Sequence, residues 1–194
     1  MNLLPDLTKY SIILASKSPR RQQLLSDLGL TFDPMETGAD ESFPDDMPVE
    51  KVAAFLAEKK ADALLPELKG NQLVITADTI VVLEGKILNK PDDAAHARGM
   101  LQSLSGKKHE VITGVCLRSN EKKVVFSVAT KVWFKKLSDE EIDFYIENCK
   151  PFDKAGAYGI QEWIGYVGIY RIDGSYFNVM GLPVQQLYTH LATF

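Results

Sequence analysis

Cysteine is nearly absent from this chain: Cys116 and Cys149 are the only two, and they form no CxxC pair and have no histidine at metal-ligand spacing. Inert free thiols are therefore expected rather than a disulfide framework or a zinc site. Histidine is almost as scarce, and His96, His109 and His190 are scattered like surface or core residues. No apolar run approaches the roughly 20 residues of a membrane span. Met1 to Asp6 lacks the basic start and apolar body of an export signal, so a cytoplasmic protein is expected. Positive charge is not in excess. A net charge of -4 argues against a broad nucleic-acid or anionic-membrane surface and leaves room for a local basic pocket and a small anionic ligand. The GxxxxGK[ST] phosphate loop, the GxGxxG dinucleotide fingerprint and the GxSxG nucleophile elbow are all missing, which removes kinase, Rossmann and hydrolase-elbow readings.

What is present is a 194-residue chain, 45% hydrophobic, enough for a sizeable core in a single domain spanning 1–194, with room for two lobes. The apolar run 12–15 reads as a strand, followed by Ser16-Lys17-Ser18-Pro19-Arg20-Arg21 and an amphipathic helix. Ser18 suits the N-cap and Pro19 the first turn, where its missing N–H is harmless. Backbone N–H groups and two guanidinium forks at one helix end suit phosphate oxygens. A capped surface helix with two solvated arginines fits the local pattern equally well. Gly29 closes the helix, 31–35 reads as a strand, and an acidic loop over 38–48 carries Asp40, Glu41, Asp45 and Asp46.

From Val49 the apolar spacing is helical, which sets Lys60 beside the buried stripe and points Lys59 more to solvent; simple snorkelling is the alternative for Lys60. The run 73–83 reads as a buried strand interrupted by Asp78. A carboxylate there must be paired, hydrogen-bonded or metal-bound, and a functional role is the favoured reading. Glu84-Gly85-Lys86 is a hairpin turn returning the chain to Lys90, across the hairpin from Asp78, and Asp92 caps a helix ending near Ser105 and Gly106. Strands are expected over 109–118 and 124–135, and a capping box at Ser138 opens a helix that stops before Pro151. The glycine-bearing stretch 152–161 suits a loop whose backbone approaches a ligand, a plain connector being the alternative. A strand over 164–172, a turn at 173–175 and a terminal helix after Pro183 complete the chain.

The motifs Ala15-Ser16-Lys17-Ser18-Pro19-Arg20-Arg21, Ala77-Asp78-Thr79-Ile80-Val81, Asn89-Lys90-Pro91, Leu104-Ser105-Gly106 and Asp153 through Gln161 together resemble the Maf family of nucleoside triphosphate pyrophosphatases, most closely its dTTP/UTP branch. The resemblance implies an α/β fold, an elongated mixed sheet flanked by helices with two lobes around a cleft, in a cytoplasmic protein that is often a homodimer. It implies Asp78 as proton acceptor, with Arg20, Thr79 and Gln161 at positions tied to substrate choice, and Glu41, Lys60, Lys90 and Lys154 at other cleft positions. Lys17, and Glu162-Trp163 where a glycine is common, are departures that bear on loop shape.

The implied reaction needs an activated water and neutralised phosphate oxygens. Asp78 can take the water's proton; a divalent cation, Mg²⁺ or Mn²⁺, can be held by Glu41 and Asp78 with phosphate oxygens; Arg21, Lys60 and Lys90 can offset triphosphate charge, with Ser16, Ser18, Arg20, Thr79, Lys154 and Gln161 binding substrate. A methylated purine triphosphate as substrate, or a non-catalytic nucleotide-binding regulator of septum formation, are the alternatives.

Overall fold

The computed structural model describes residues 4–194, so the export-signal expectation for 1–6 falls partly outside the described residues. Seven strands, β1 (Ser11–Ala15), β2 (Asp33–Met35), β3 (Gln72–Leu83), β4 (Lys86–Leu88), β5 (Lys108–Arg118), β6 (Lys123–Phe134) and β7 (Ile169–Asp173), form one mixed sheet in the order β2-β1-β3-β5-β6-β7, with β4 on β3. β1 runs parallel to both β2 and β3, whereas β4 on β3 and β7 on β6 are antiparallel. The helices are α1 (Pro19–Asp27), α2 (Val49–Leu64), α3 (Ala94–Leu104), α4 (Asp139–Cys149), α5 (Trp163–Gly168), α6 (Tyr176–Met180) and α7 (Val184–Leu191). This is the α/β class expected, and none of the helices described is long and apolar enough to cross a membrane.

The chain divides into two compact units, one made of Met1–Asp78, Thr113–Val128 and Gly181–Phe194, the other of Thr79–Ile112 and Ala129–Met180. In the first unit, α2 lies on the sheet through small residues. A Cβ at Gly114 of β5 would come within 2.2 Å of the Ala53 backbone, and Ala57 and Ala61 pack with Cys116 and Val125. Alanine every fourth residue thus brings the helix axis close to the strands, while buried Val52, Leu56 and Leu64 each contribute about 1.5–3 kcal/mol. Cys116 is buried, and desolvation pushes its thiol up to about 12, so it is inert. The second unit has its own core around Phe134, Leu101, Leu104, Ile142, Tyr145 and Ile164.

Most element boundaries agree with the sequence reading, including the Ser138 capping box and the positive φ of Gly29. Three readings are corrected and one element is added. Residues 164–168 are helical, and only 169–173 extend as β7. Their β-rich composition yields to tertiary context: Ile164 is fully buried and Trp163 lies on Phe144 with ring centroids 4.7 Å apart. A Cβ at Gly165 would fall 1.8 Å from the Ile160 carbonyl oxygen, so only glycine allows this tight entry. The α3 cap is Asp93, which accepts from the His96 N–H at 2.7 Å, while Asp92 pairs with the His96 ring instead. β2 is only Asp33–Met35, Pro34 being unable to donate to a ladder, and the short α6 after the Gly174 turn was not expected.

Candidate active site

At the β1–α1 junction the backbone leaves the sheet and its polar groups find side-chain partners. Ser18 accepts the Arg21 N–H at 3.4 Å as N-cap, and buried Ser16 accepts both the Ser18 N–H at 3.2 Å and Arg21 Nη1 at 3.4 Å. Gln22 donates its amide to the Ser16 carbonyl at 3.2 Å, a support the sequence did not single out. Arg21 turns its fork inward. Nε donates to the Gly181 carbonyl and Nη1 to the Ala77 carbonyl, both at 2.8 Å, so this guanidinium braces the chain next to Asp78 instead of standing out beside Arg20. Burial lowers its pKa and the Asp78 charge raises it in compensation.

The Ala77 carbonyl needs that donor because of strand register. The β1 ladder on β3 ends at Ile75 and the β4 ladder begins at Val81, so Asp78 lies in the stretch between the two. Alternation along β3 places Thr76 and Asp78 on one face and Thr79 on the other. Thr76 is buried and donates to the Ala57 carbonyl at 2.6 Å, which locks α2 over this face three residues short of Lys60. Lys60 is therefore not a snorkelling surface lysine. Its ammonium lies 2.5 Å from Asp78 Oδ1 and 2.7 Å from Glu41 Oε1. Next to it, Lys59 is engaged rather than solvated: it donates to Asp40 at 3.0 Å and to the Ser42 carbonyl at 2.9 Å, pinning the acidic loop on both sides of Glu41. Hydrogen bonds from Ser42 and Lys59 bring Asp40 down to about 2.

Two carboxylates converging on one ammonium are hard oxygen donors aimed at a common cationic point, a set that fits Mg²⁺ or Mn²⁺. Among the described residues no group of three or more His, Cys, Asp or Glu side chains could hold a metal ion, so Glu41 and Asp78 would need phosphate or water oxygens to complete a coordination shell.

In the second unit, Lys154 is buried and its ammonium lies 2.7 Å from Asp153 and 3.0 Å from Glu162. Gln161, half-buried, has a buried Oε1 with no hydrogen-bond partner among the described residues. Thr79 is half-buried, and Lys90 is exposed, two residues beyond the end of β4. The structure thus joins Ser16, Ser18, Arg21, Glu41, Lys60 and Asp78 in one unit and places Thr79, Lys90, Lys154 and Gln161 in the other. Tyr145 was legible only as part of the buried stripe of α4 and Glu162 only as a departure bearing on loop shape; their bond joins residues 17 apart, which no local pattern announces.

Residues 11–194 match the family described as Maf-like protein. The chain is 53% identical over 190 residues to a dTTP/UTP pyrophosphatase of Phocaeicola vulgatus, covering 97% of this chain and 98% of that one. It is 49% identical over 193 residues to a protein of the same name from Parabacteroides distasonis, covering 99% and 100%. A third of that name, from Bacteroides thetaiotaomicron, is 49% identical over 190 residues, 97% and 98% of the two chains. With the acid-lysine cluster around Asp78 and a match across nearly its whole length, the chain belongs to the Maf family.

Proposed function

We propose that this protein hydrolyses dTTP and UTP to the monophosphate and pyrophosphate, as the names of its relatives say of them. The observation that carries the reading is the half-buried Asp78, held by Lys60 beside Glu41 in a strand whose flanking runs, residues 73–77 and 80–83, are buried. Asp78 accepts the proton of a water attacking the α-phosphorus; the bond to the bridging oxygen breaks and pyrophosphate leaves. Lys60, already bound to two carboxylates, orients Asp78 and offsets negative charge. Arg21 keeps the Ala77 peptide, and with it Asp78, in place through its bond to the carbonyl. Lys90 and Lys154 neutralise phosphate oxygens, Arg20 serves phosphate and base, and Ser16 and Ser18 shape the phosphate-facing loop.

Glu41 and Asp78 would hold Mg²⁺ or Mn²⁺, which when bound supplies charge neutralisation and a more acidic water. Base choice rests on Gln161 with Thr79 and Arg20. An amide offers one donor and one acceptor, matching O4 and N3–H of uracil or thymine, and cytosine presents the reverse. The orphaned buried Oε1 supports a ligand-facing amide. Pyrophosphate release measured over a panel of canonical and modified triphosphates with Mg²⁺ tests the proposal: turnover should favour dTTP and UTP. Preference for a methylated purine triphosphate, or binding without turnover, would replace it.

A further inference from the structure

Behind Gln161 lies a set of contacts that no sequence motif announces. Tyr145 of α4 is fully buried and its hydroxyl donates to Glu162 Oε2 while accepting the Gly159 N–H at 3.0 Å. The other oxygen of the same carboxylate, Oε1, lies 3.0 Å from the Lys154 ammonium. The Glu162 N–H donates to the Gly159 carbonyl at 3.0 Å, so the turn around Gln161 is closed on itself and tied to α4. Gly159 leaves no slack, since a Cβ there would come within 2.9 Å of both the Gln161 amide nitrogen and the Glu162 carboxyl carbon. Tyr166 adds a further tie by donating to the Gln161 carbonyl at 2.8 Å.

One carboxylate therefore serves two ends of the stretch 154–161. Its Oε1 shares with Asp153 the neutralisation of a buried lysine, and its Oε2 fixes a tyrosine that in turn holds the backbone two residues before Gln161. Desolvation and the neighbouring carboxylate push the Tyr145 phenol well above its ordinary range, so it stays a hydrogen-bond donor at any working pH.

We propose that Glu162 and Tyr145 are positioning residues that fix the Gln161 amide and the Lys154 ammonium together, and thereby set the base selectivity of the site. The inference rests on the reading of Gln161 as the base-reading group. Neither residue needs to touch the nucleotide. A mobile amide satisfies a wrong base by turning, whereas a fixed one leaves donor facing donor, which is what converts a hydrogen bond into discrimination.

The test compares kcat/KM for dTTP, UTP and dCTP with Mg²⁺ in the parent and in Tyr145→Phe, Glu162→Ala, Glu162→Gln and Gln161→Ala, each checked for folding by circular dichroism. The dTTP-over-dCTP ratio should fall about five- to tenfold in Tyr145→Phe and Glu162→Ala. It should recover in part in Glu162→Gln, whose carbonyl oxygen still accepts the tyrosine proton while its amide nitrogen faces the Lys154 ammonium and leaves Asp153 as that lysine's acid partner. A purely structural role would lower all three substrates alike and leave the ratio unmoved, and that result overturns the proposal provided Gln161→Ala does lose selectivity. If Gln161→Ala keeps the parent ratio, the base-reading assignment itself fails and takes this inference with it. Should Glu162→Ala not fold, Tyr145→Phe, which keeps the ring volume, decides the matter alone.

Discussion

Replacing Asp78 by asparagine separates the chemistry of the acid from its place in the fold. Its carboxylate and the Lys60 ammonium are 2.5 Å apart, with side chains only 14% and 11% exposed, so they interact in a medium well below the dielectric of water. At an effective dielectric near 20 the attraction of two unit charges at that distance is about 6–7 kcal/mol, most of it offset by their desolvation. Removing one member of a buried pair generally costs about 3–5 kcal/mol because a charge is stranded. Here Lys60 is not stranded, since Glu41 remains 2.7 Å away. Asparagine also keeps the shape, so the expected loss is about 1–2 kcal/mol, or a fall of about 2–8 °C in Tm for a chain of this size. Turnover should drop by about 10²–10⁴-fold, the usual worth of a positioned general base. Thermal melts followed by circular dichroism and pyrophosphate release from dTTP measure the two effects on the same sample. A folded variant that turns over dTTP at near the parent rate would refute the assignment of Asp78, and a Tm loss far beyond this range would show that Glu41 does not hold Lys60.

Chelation should abolish turnover and Mg²⁺ or Mn²⁺ restore it, with dTMP and pyrophosphate as the products; orthophosphate released through a diphosphate intermediate, seen by chromatography, would place the attack at the wrong phosphorus. His109 is buried against Phe134 and Tyr158, and desolvation lowers its pKa from 6.5 to about 4, so the unfolded chain binds this proton more tightly than the folded one. Its contribution is then fully present above about pH 6.5 and is lost as pH falls toward 4, by about 3 kcal/mol at most; urea unfolding at pH 7 and pH 5 should show this slope in the parent and not in His109→Gln. Gly114→Ala should destabilise by several kcal/mol, on the order of 3 or more, because the new Cβ meets Ala53 backbone at 2.2 Å and a backbone cannot swing aside; denaturant midpoints check it, and a near-neutral variant would mean that α2 lies farther from β5.

The parts of this fold legible in the sequence are those where one local rule decides. Ser18 and Pro19 start α1, Ser138 and Glu141 close a capping box, and an apolar stripe from Val52 to Leu64 defines α2, because each signal is complete within a few residues. Lys60 was legible for the same reason: its place beside the stripe follows from helical period alone. Residues 164–168 were not, since Ile, Tyr and Val favour strands and only the packing of Trp163 on Phe144 and of Gly165 on the Ile160 carbonyl makes them helical. Asp92 and Asp93 offer equal caps to any local rule. The choice between them rests on which backbone bends to leave the other acid beside His96.

The inward turn of Arg21 shows where such local reading ends. A paired Arg20-Arg21 at a helix start suggests two equivalent forks, yet a helix turns about 100° per residue, so neighbours cannot face the same partner. Which arginine points inward depends on a carbonyl 56 residues away, at Ala77, whose β1 neighbour has already left the sheet. That missing ladder partner is itself a product of the β1–α1 junction, for the same chain that departs at Ser16 returns the guanidinium that replaces it. The brace and the acid are thus coupled: whatever holds Arg21 to Ala77 holds the peptide that precedes Asp78. Arg21→Lys, which keeps the charge but loses the fork, should accordingly lower kcat while leaving the KM for dTTP within about threefold, because a lysine cannot reach Ala77 and Gly181 at once. A variant that instead raises KM tenfold or more at unchanged kcat would make Arg21 a phosphate ligand and not a brace.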